Sequence, residues 1–300
     1  MTLADAISKF LLACKLRKLS PHTQRAYRSD LWLFRKWSHN RELERALTPD
    51  EIKAWRCHMD DRPLAATSIK RRLATLKAFT KWLEKAGHLN QNPFLALDLP
   101  IKLPRRLPRN LQNGDLRELI RSVRTRSISS SFPQVLIHLS VELILSTGIR
   151  IGEACNIELD DINLQERIIR VHGKGSRERQ VFLIDKKLVV LIKRYLAIRK
   201  KFRPLTDRLL ITTRGTSAST DYIRRKLHEA VSETGITRKV TPHMLRHTAA
   251  TQFLERGVDI RYVQRLLGHS SIATTEIYTH VSNTALRDAI TGAQLRKQWE

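Results

Sequence analysis

The chain has 300 residues, 41% of them hydrophobic, which suffices for two folded domains and excludes a disordered chain. It has no run of 18 apolar residues, no signal peptide and no pair of neighbouring cysteines, so we expect a cytoplasmic protein with reduced thiols. Its net charge of +26 favours nucleic acid as the partner over a membrane, because no helix shows a basic face opposite a continuous apolar one.

Residues 1–93 predict a small domain of four helices. Helices begin at Ser20-Pro21 and at Thr48-Pro49, where a hydroxyl cap precedes proline at the first helical position, and Glu51 completes a capping box. The fourth helix covers residues 67–86 and ends at Gly87. Its basic side carries Lys70, Arg71, Arg72 and Lys77. Such a charge run is usually a solvated surface, but here it fits a helix that lies against DNA backbone.

Four tryptophans fall in this region. Their apolar neighbours at helical spacing predict core residues and give base stacking little weight. They are Trp32, Trp37, Trp55 and Trp82.

The helical pattern breaks over residues 94–109. Prolines at positions 100, 104 and 108 alternate with basic residues, and proline makes such a segment an extended, semi-stiff linker. The charges suit a strand that follows phosphates, and we place the domain boundary here. The basic residues are Lys102, Arg105, Arg106 and Arg109.

Residues 110–300 predict a second domain that mixes helices with three short antiparallel strands. Helices are expected near 114–124, 135–147, 187–199 and 221–234, with a Ser-rich loop at 127–131 and a helix start at Ile151. The strands are expected at 161–164, 168–172 and 180–184, the last two joined by a turn at 173–176. The fold class is therefore mainly α with a small antiparallel β-sheet.

The stretch from Thr241 to Tyr278 predicts three helices. Thr241-Pro242 begins the first, Gly257 ends it, and Asp259 caps the second. His243 and Arg246 lie three residues apart and so share one side of the first turn. Because that turn has unpaired N–H groups and the positive end of the helix dipole, phosphate is the expected ligand.

Taken singly, the candidate residues have ordinary explanations. Lys174 in its Gly-Lys-Gly turn lacks the Walker spacing, and Arg150 with Glu153 is by default a surface pair. His269 could be a helix-end histidine and Tyr278 a core phenol. His243 and His247 have the spacing of two metal ligands on a helix. However, position 244 is Met rather than the Glu that a zinc protease needs, and Arg246 would repel a cation.

Their order along the chain resembles the tyrosine site-specific recombinases, most closely the Xer and phage-integrase branch. The resemblance rests on Arg150 in TGIRIGEA, Lys174 in VHGKGSRER, His243-x-x-Arg246 in TPHMLRH, His269 in LLGHSS and Tyr278 in TTEIYTH. The resemblance covers the whole second domain and implies that this domain is the α+β catalytic domain. The first domain resembles the family's helical, SAM-like core-binding domain, and the larger integrases' arm-binding domain is not expected.

The resemblance implies a site that grips one phosphate. Arg150 and Arg246 would bind its oxygens with paired N–H donors, His269 would donate a further hydrogen bond, and Glu153 would orient the arginines. Because these fixed donors do what Mg²⁺ does in other phosphoryl-transfer enzymes, no metal and no cofactor are expected.

Tyr278 is the implied nucleophile. A phenol pKa of about 10 leaves roughly one molecule in a thousand ionised at pH 7, so a base is needed, and His243 is the candidate. Lys174 is the implied acid for the leaving 5′ oxygen. The product would be a 3′-phosphotyrosyl link that a partner strand's 5′-hydroxyl reverses without ATP.

The implied partner is double-stranded DNA with specific recombination sites, bound by a homotetramer that can form from a dimer on each site. Residues 286–290 keep a helical spacing after Tyr278, and this segment could pack on its own domain or on a neighbour. The role stays open between chromosome-dimer resolution, transposon resolution and integration, with charge and size favouring a mobile element. Two other classes are a DNA-binding regulator that does not cut and a type IB topoisomerase.

Overall fold

The computed structural model describes residues 1–101, 110–128, 131–173 and 178–268. The chain divides into two compact units, Met1–Arg105 and Arg106–Glu300. Each unit has its own hydrophobic core. Within the described ranges, every helix is too short or too polar to span a bilayer.

The first unit is helical, as predicted. It contains α1 (Leu3–Leu16), α2 (Pro21–Trp37), the single turn α3 (Leu43–Ala46), α4 (Pro49–Asp60) and α5 (Ala66–Lys85), followed by a 3₁₀ helix at Pro93–Ala96. The predicted caps are confirmed: Ser20 accepts from the Thr23 backbone N–H, and Thr48 accepts from that of Glu51. The predicted capping box is not completed, because the Glu51 carboxylate pairs with Arg41 at 2.7 Å instead of bonding back to the Thr48 backbone.

The first-unit core confirms Trp55, which is 2% exposed, and it partly covers Trp37 and Trp82. The prediction for Trp32 is wrong, because this side chain is 54% exposed. Consecutive helical residues point about 100° apart, so Trp32 cannot share the buried side of its neighbour Leu31. It lies on the exposed face instead, with the Lys36 ammonium 5.5 Å from the centre of its ring.

Part of the predicted linker belongs to the first unit. Beyond the 3₁₀ helix, Leu97, Leu99 and Ile101 pack partly against the first core. The basic positions of the linker, Lys102, Arg105, Arg106 and Arg109, lie outside the described residues.

The second unit is built around α7 (Phe132–Thr147), which is apolar on all sides and therefore buried. Four helices pack against it: α6 (Asn113–Ile128), α9 (Lys186–Lys200), α10 (Thr220–Ser232) and α11 (Pro242–Glu255). The short α8 (Ile151–Ala154) follows α7, and α12 (Ile260–Leu267) follows α11. Helix α6 continues through Ser127, which the sequence placed in a loop, because this side chain is buried and bonded to His138 at 2.8 Å.

A three-stranded antiparallel sheet completes the second unit. Strands β1 (Ile162–Asn163), β2 (Ile168–His172) and β3 (Glu178–Phe182) pair in sequence order. Ile169 lies opposite Val181 in the central register, and both point into the core. The sheet and the helices confirm the predicted fold class, although β3 begins two residues before the predicted strand.

Candidate active site

The predicted arginines converge where four segments of the second unit meet. Gly148 caps the end of α7 with a φ of 65°, which favours glycine, and Arg150 is the cap residue directly before α8. A Cβ at Gly148 would lie 2.8 Å from the Leu267 Cδ2 atom, so this glycine also lets the end of α12 come close. The sequence thus brings together side chains from α8, α11 and β3 beside the last carbonyls of α12.

Glu153 lies at the centre of this cluster and is 7% exposed. Its carboxylate accepts from the Arg150 backbone at 2.9 Å and from the Arg150 guanidinium at 2.8 Å. Arg179 adds two more bonds, of 3.2 and 2.7 Å, and one Arg246 nitrogen lies 4.0 Å away. The default interpretation of Arg150 and Glu153 as a surface pair is therefore wrong, because the carboxylate is buried among three arginines.

The surroundings decide the charge of Glu153. Burial raises the pKa of its carboxyl, but hydrogen bonds from Arg179 and from Arg150 outweigh that effect, so the pKa lies below its usual value of 4.5. Glu153 is thus a carboxylate at neutral pH, and it balances part of the positive charge of the cluster.

The two predicted phosphate-binding arginines differ in exposure. The Arg246 side chain is 5% exposed, and its terminal nitrogens donate to the carbonyls of Gly148 and Leu267, both at 2.6 Å. The Arg150 side chain is 38% exposed, and its Nη1 atom lies 3.3 Å from the Leu267 carbonyl. Arg246 is therefore fixed by the fold, whereas Arg150, although it also donates to Glu153, is partly open to solvent.

His243 stands in the first turn of α11. Thr241 caps this helix by accepting from the Met244 backbone N–H, as predicted, and His243 is exposed. Partial desolvation lowers the pKa of His243 below its usual value of 6.5, and the nearby cations of Arg246, Arg224 and Arg150 lower it further. A neutral imidazole is the form that can accept a proton.

Three predicted residues, Lys174, His269 and Tyr278, lie outside the described part of the chain. The residues that border them are described. At one end, His172 pairs with Glu178 in the β2–β3 ladder. At the other, Gly268 ends α12 in the left-handed conformation, which glycine adopts at low cost.

The predicted DNA-binding face of α5 belongs to the first unit. Lys70 and Lys77 are exposed there, and Arg72 is partly covered. Arg71 is half-exposed, and its guanidinium bonds to the fully buried Asp30 carboxylate at 2.5 Å. That ion pair ties α5 to α2 and takes up one donor of Arg71.

Arg179 is a site residue that the sequence analysis missed. In β3 it shares the inward side with Val181, while Glu178 and Gln180 are exposed. The sequence pattern could have identified Arg179, because alternation along the strand places this charge on the same inward side as Val181. A charge on that side needs a buried partner. Among the described residues, no cluster of three or more metal-ligand side chains is present.

Comparison with known proteins identifies the family to which the chain belongs. Residues 109–285 match the phage integrase family, and residues 7–87 match the phage integrase N-terminal SAM-like domain. The chain therefore belongs to the phage integrase family of tyrosine recombinases, enzymes that cleave and rejoin DNA.

Several of the proteins that it resembles are Xer recombinases. The chain is 34% identical over 282 residues to the tyrosine recombinase XerC of Thermodesulfovibrio yellowstonii. This match covers 92% of the chain and 91% of the XerC protein. The crystal structure of XerA recombinase is 30% identical with a TM-score of 0.55, covering 97% of this chain and 98% of that one. The XerH recombinase in its post-cleavage complex with palindromic difH substrate is 22% identical to the chain, with a TM-score of 0.74. This match covers 95% of the chain and 84% of XerH, and it shows that the two proteins share a fold.

Proposed function

We propose that the protein is a site-specific DNA recombinase that cuts and rejoins strands through a 3′-phosphotyrosyl link on Tyr278. One observation carries the proposal: Arg150 and Arg246, far apart in sequence, meet around the buried Glu153 carboxylate with His243 at the rim. A cluster of fixed cations beside an exposed imidazole suits a phosphodiester that gains negative charge as a nucleophile adds.

Arg150 and Arg246 bind the non-bridging oxygens of the scissile phosphate. Arg246 is almost fully buried, so its charge is screened less than that of a surface arginine. Arg150 is the more exposed of the two and can meet an incoming phosphate directly. His269 donates a further hydrogen bond, and Glu153 keeps the guanidinium planes in place.

The cleavage step forms one bond and breaks one. The Tyr278 Oη attacks phosphorus, its proton passes to neutral His243, and the bond from phosphorus to the 5′ oxygen breaks as Lys174 protonates that oxygen. The lowered pKa of His243 supports its role as the base, because the imidazole is unprotonated near pH 7. Rejoining is the reverse step with the 5′-hydroxyl of the partner strand, so no nucleotide fuel is consumed.

The stoichiometry of exchange supports a homotetramer. Recombination of two duplexes cuts four strands, and each cut consumes one tyrosine, so four copies of the chain are required, with two on each site. The XerH structure, which was crystallised on its difH substrate, supports DNA as the partner. The net charge of +26 adds attraction to any duplex.

We assign DNA binding to the first unit, whose core extends to Ile101, a basic linker to the residues that follow it up to 109, and catalysis to 110–300. In the first unit, Lys70 and Lys77 are exposed and suited to bind phosphates, with Arg72 beside them. Arg71 contributes less, since Asp30 holds its guanidinium. We expect DNA phosphates to be bound also by the basic side chains of the linker, Lys102, Arg105, Arg106 and Arg109.

A nicked suicide substrate tests the proposal. In such a duplex the short fragment with the free 5′-hydroxyl diffuses away after cleavage. Because that hydroxyl is no longer present to reverse the reaction, the covalent adduct accumulates. We expect the wild-type chain to form the adduct in the presence of a chelator, and Tyr278→Phe to bind the same duplex without forming it. Tyr262→Phe is the matched control, because this exposed phenol lies on α12 and should leave the adduct yield unchanged. A normal adduct yield from Tyr278→Phe would refute the assignment.

A further inference from the structure

Arg179 holds together parts of the second unit that are distant in sequence. Its Nη1 and Nη2 atoms donate to the two oxygens of Glu153 at 3.2 and 2.7 Å, and its Nε atom donates to the Leu266 carbonyl at 2.8 Å. The side chain is 13% exposed. We propose that Arg179 is a positioning residue for strand cleavage, one that acts through Glu153 and the end of α12 and rests on the function proposed above.

The bonds that Arg179 makes suit a positioning role, because they hold Glu153 and the end of α12 together. All three guanidinium nitrogens donate to the protein, and the two-point bond to the carboxylate fixes the guanidinium plane. Because Glu153 also accepts from the Arg150 guanidinium, a shift of this carboxylate moves the more exposed phosphate-binding arginine. Arg179 thus sets the position of Arg150 through the carboxylate that both residues share.

The end of α12 rests directly on this guanidinium. A Cβ at Gly268 would lie 3.0 Å from Arg179 Nη1 and 3.2 Å from its Cζ atom. A larger residue there would push the guanidinium aside by a few tenths of an ångström, and glycine is also the residue favoured at the φ of +64° found there. His269 comes next in the chain, so the contact fixes the point from which its segment starts.

Arg179 is also close in sequence to Lys174. It is the second residue of β3, and Lys174 lies five residues before it in the sequence. One side chain therefore links the strand that follows the proposed acid, the helix end that precedes a proposed phosphate ligand, and the carboxylate that holds Arg150. A lysine carries its three donors on one nitrogen, so it cannot reproduce the two-point bond of the planar fork to the carboxylate.

The test compares Arg179→Lys and Arg179→Ala with Arg170→Lys. Arg170 is the matched control, because it lies on the neighbouring strand and also pairs with a carboxylate, Asp161 at 3.1 Å, but its side chain is 52% exposed. The readout is the rate constant of adduct formation by the DNA-bound fraction, measured at saturating protein on the nicked suicide substrate. Binding is followed by mobility shift and folding by thermal denaturation.

We expect Arg179→Lys to bind DNA normally and to cleave about tenfold to a hundredfold more slowly, as a misplacement of about 1 Å would produce. Arg179→Ala should be slower still, and Arg170→Lys unchanged. If Arg179 acts through Glu153, the combined Arg179→Lys and Glu153→Gln variant should be no slower than the slower single variant.

Two results would overturn the proposal. One is a wild-type rate constant for bound Arg179→Lys, with or without a lower melting temperature, because a merely structural role affects the folded fraction and not the rate within the complex. The other is full additivity with Glu153→Gln. Tyr278→Phe is measured in parallel: an adduct from that variant defeats the proposed function, whereas its loss beside a normal Arg179→Lys defeats only the positioning role.

Discussion

Replacing Glu153 by glutamine removes the one carboxylate shared by three arginines. The side chain is 7% exposed, and it accepts bonds from Arg150 and Arg179 while lying 4.0 Å from Arg246. Loss of one partner from a buried ion pair leaves uncompensated buried charge and typically destabilises by about 3 kcal/mol or more. For a domain of this size, that loss lowers the melting temperature by about 6 to 12 °C.

Thermal and urea denaturation of Glu153→Gln measure this loss, and Glu158→Gln is the matched control. Glu158 also pairs with an arginine, Arg208 at 3.5 Å, but its side chain is 52% exposed, so its loss should change stability by less than about 1 kcal/mol. If the two variants proved equally stable, the central place of Glu153 in the cluster would be refuted.

Two further predictions concern the residues that face the phosphate. Arg246→Ala and Arg150→Ala should both abolish adduct formation, but only Arg246→Ala should lower the melting temperature clearly, because it leaves two buried carbonyls without their 2.6 Å partner at about 1 to 3 kcal/mol each. Equal melting temperatures would contradict the difference in burial. Because the pKa of His243 lies below 6.5, the cleavage rate should stay level from pH 8 to pH 7 and fall only as the medium becomes acid enough to protonate that imidazole. In His243→Gln the rate should be lower and that acidic fall should disappear, and an unchanged profile would exclude His243 as the base.

Local signals in the sequence predicted most helix ends correctly. Thr241, Ser20 and Thr48 accept backbone N–H groups within their own first turns, so their effect requires no knowledge of distant parts. Gly148 and Gly268 likewise end helices in the left-handed conformation, for which glycine is favoured.

Contacts between distant segments were not predictable in the same way. The bond between Arg71 and Asp30 joins two helices, and that between Arg179 and Glu153 joins a strand to a short helix. Their residue types are common on surfaces, and only the fold shows that the carboxylates are buried. The prediction that Trp32 lies in the core was wrong for a different reason, since its apolar neighbours in sequence lie on another side of the helix.

The fold positions its cations through backbone carbonyls as much as through carboxylates. The last turn of α12 offers the Leu266 and Leu267 carbonyls, which accept from Arg179 and from Arg246. These carbonyls carry the negative end of the helix dipole, which favours cations at this end. The same short helix therefore orders the arginine cluster and leads the chain towards His269.

The most direct test of the account is to identify the atom that becomes attached to DNA. The wild-type chain is trapped on a nicked suicide substrate in a chelator and without nucleotide, the complex is digested with protease, and the DNA-linked peptide is sequenced by mass spectrometry. The account predicts a single peptide joined through Tyr278 to a 3′-phosphate. Attachment through another residue, attachment to a 5′-phosphate, or a strict need for a divalent metal would contradict it.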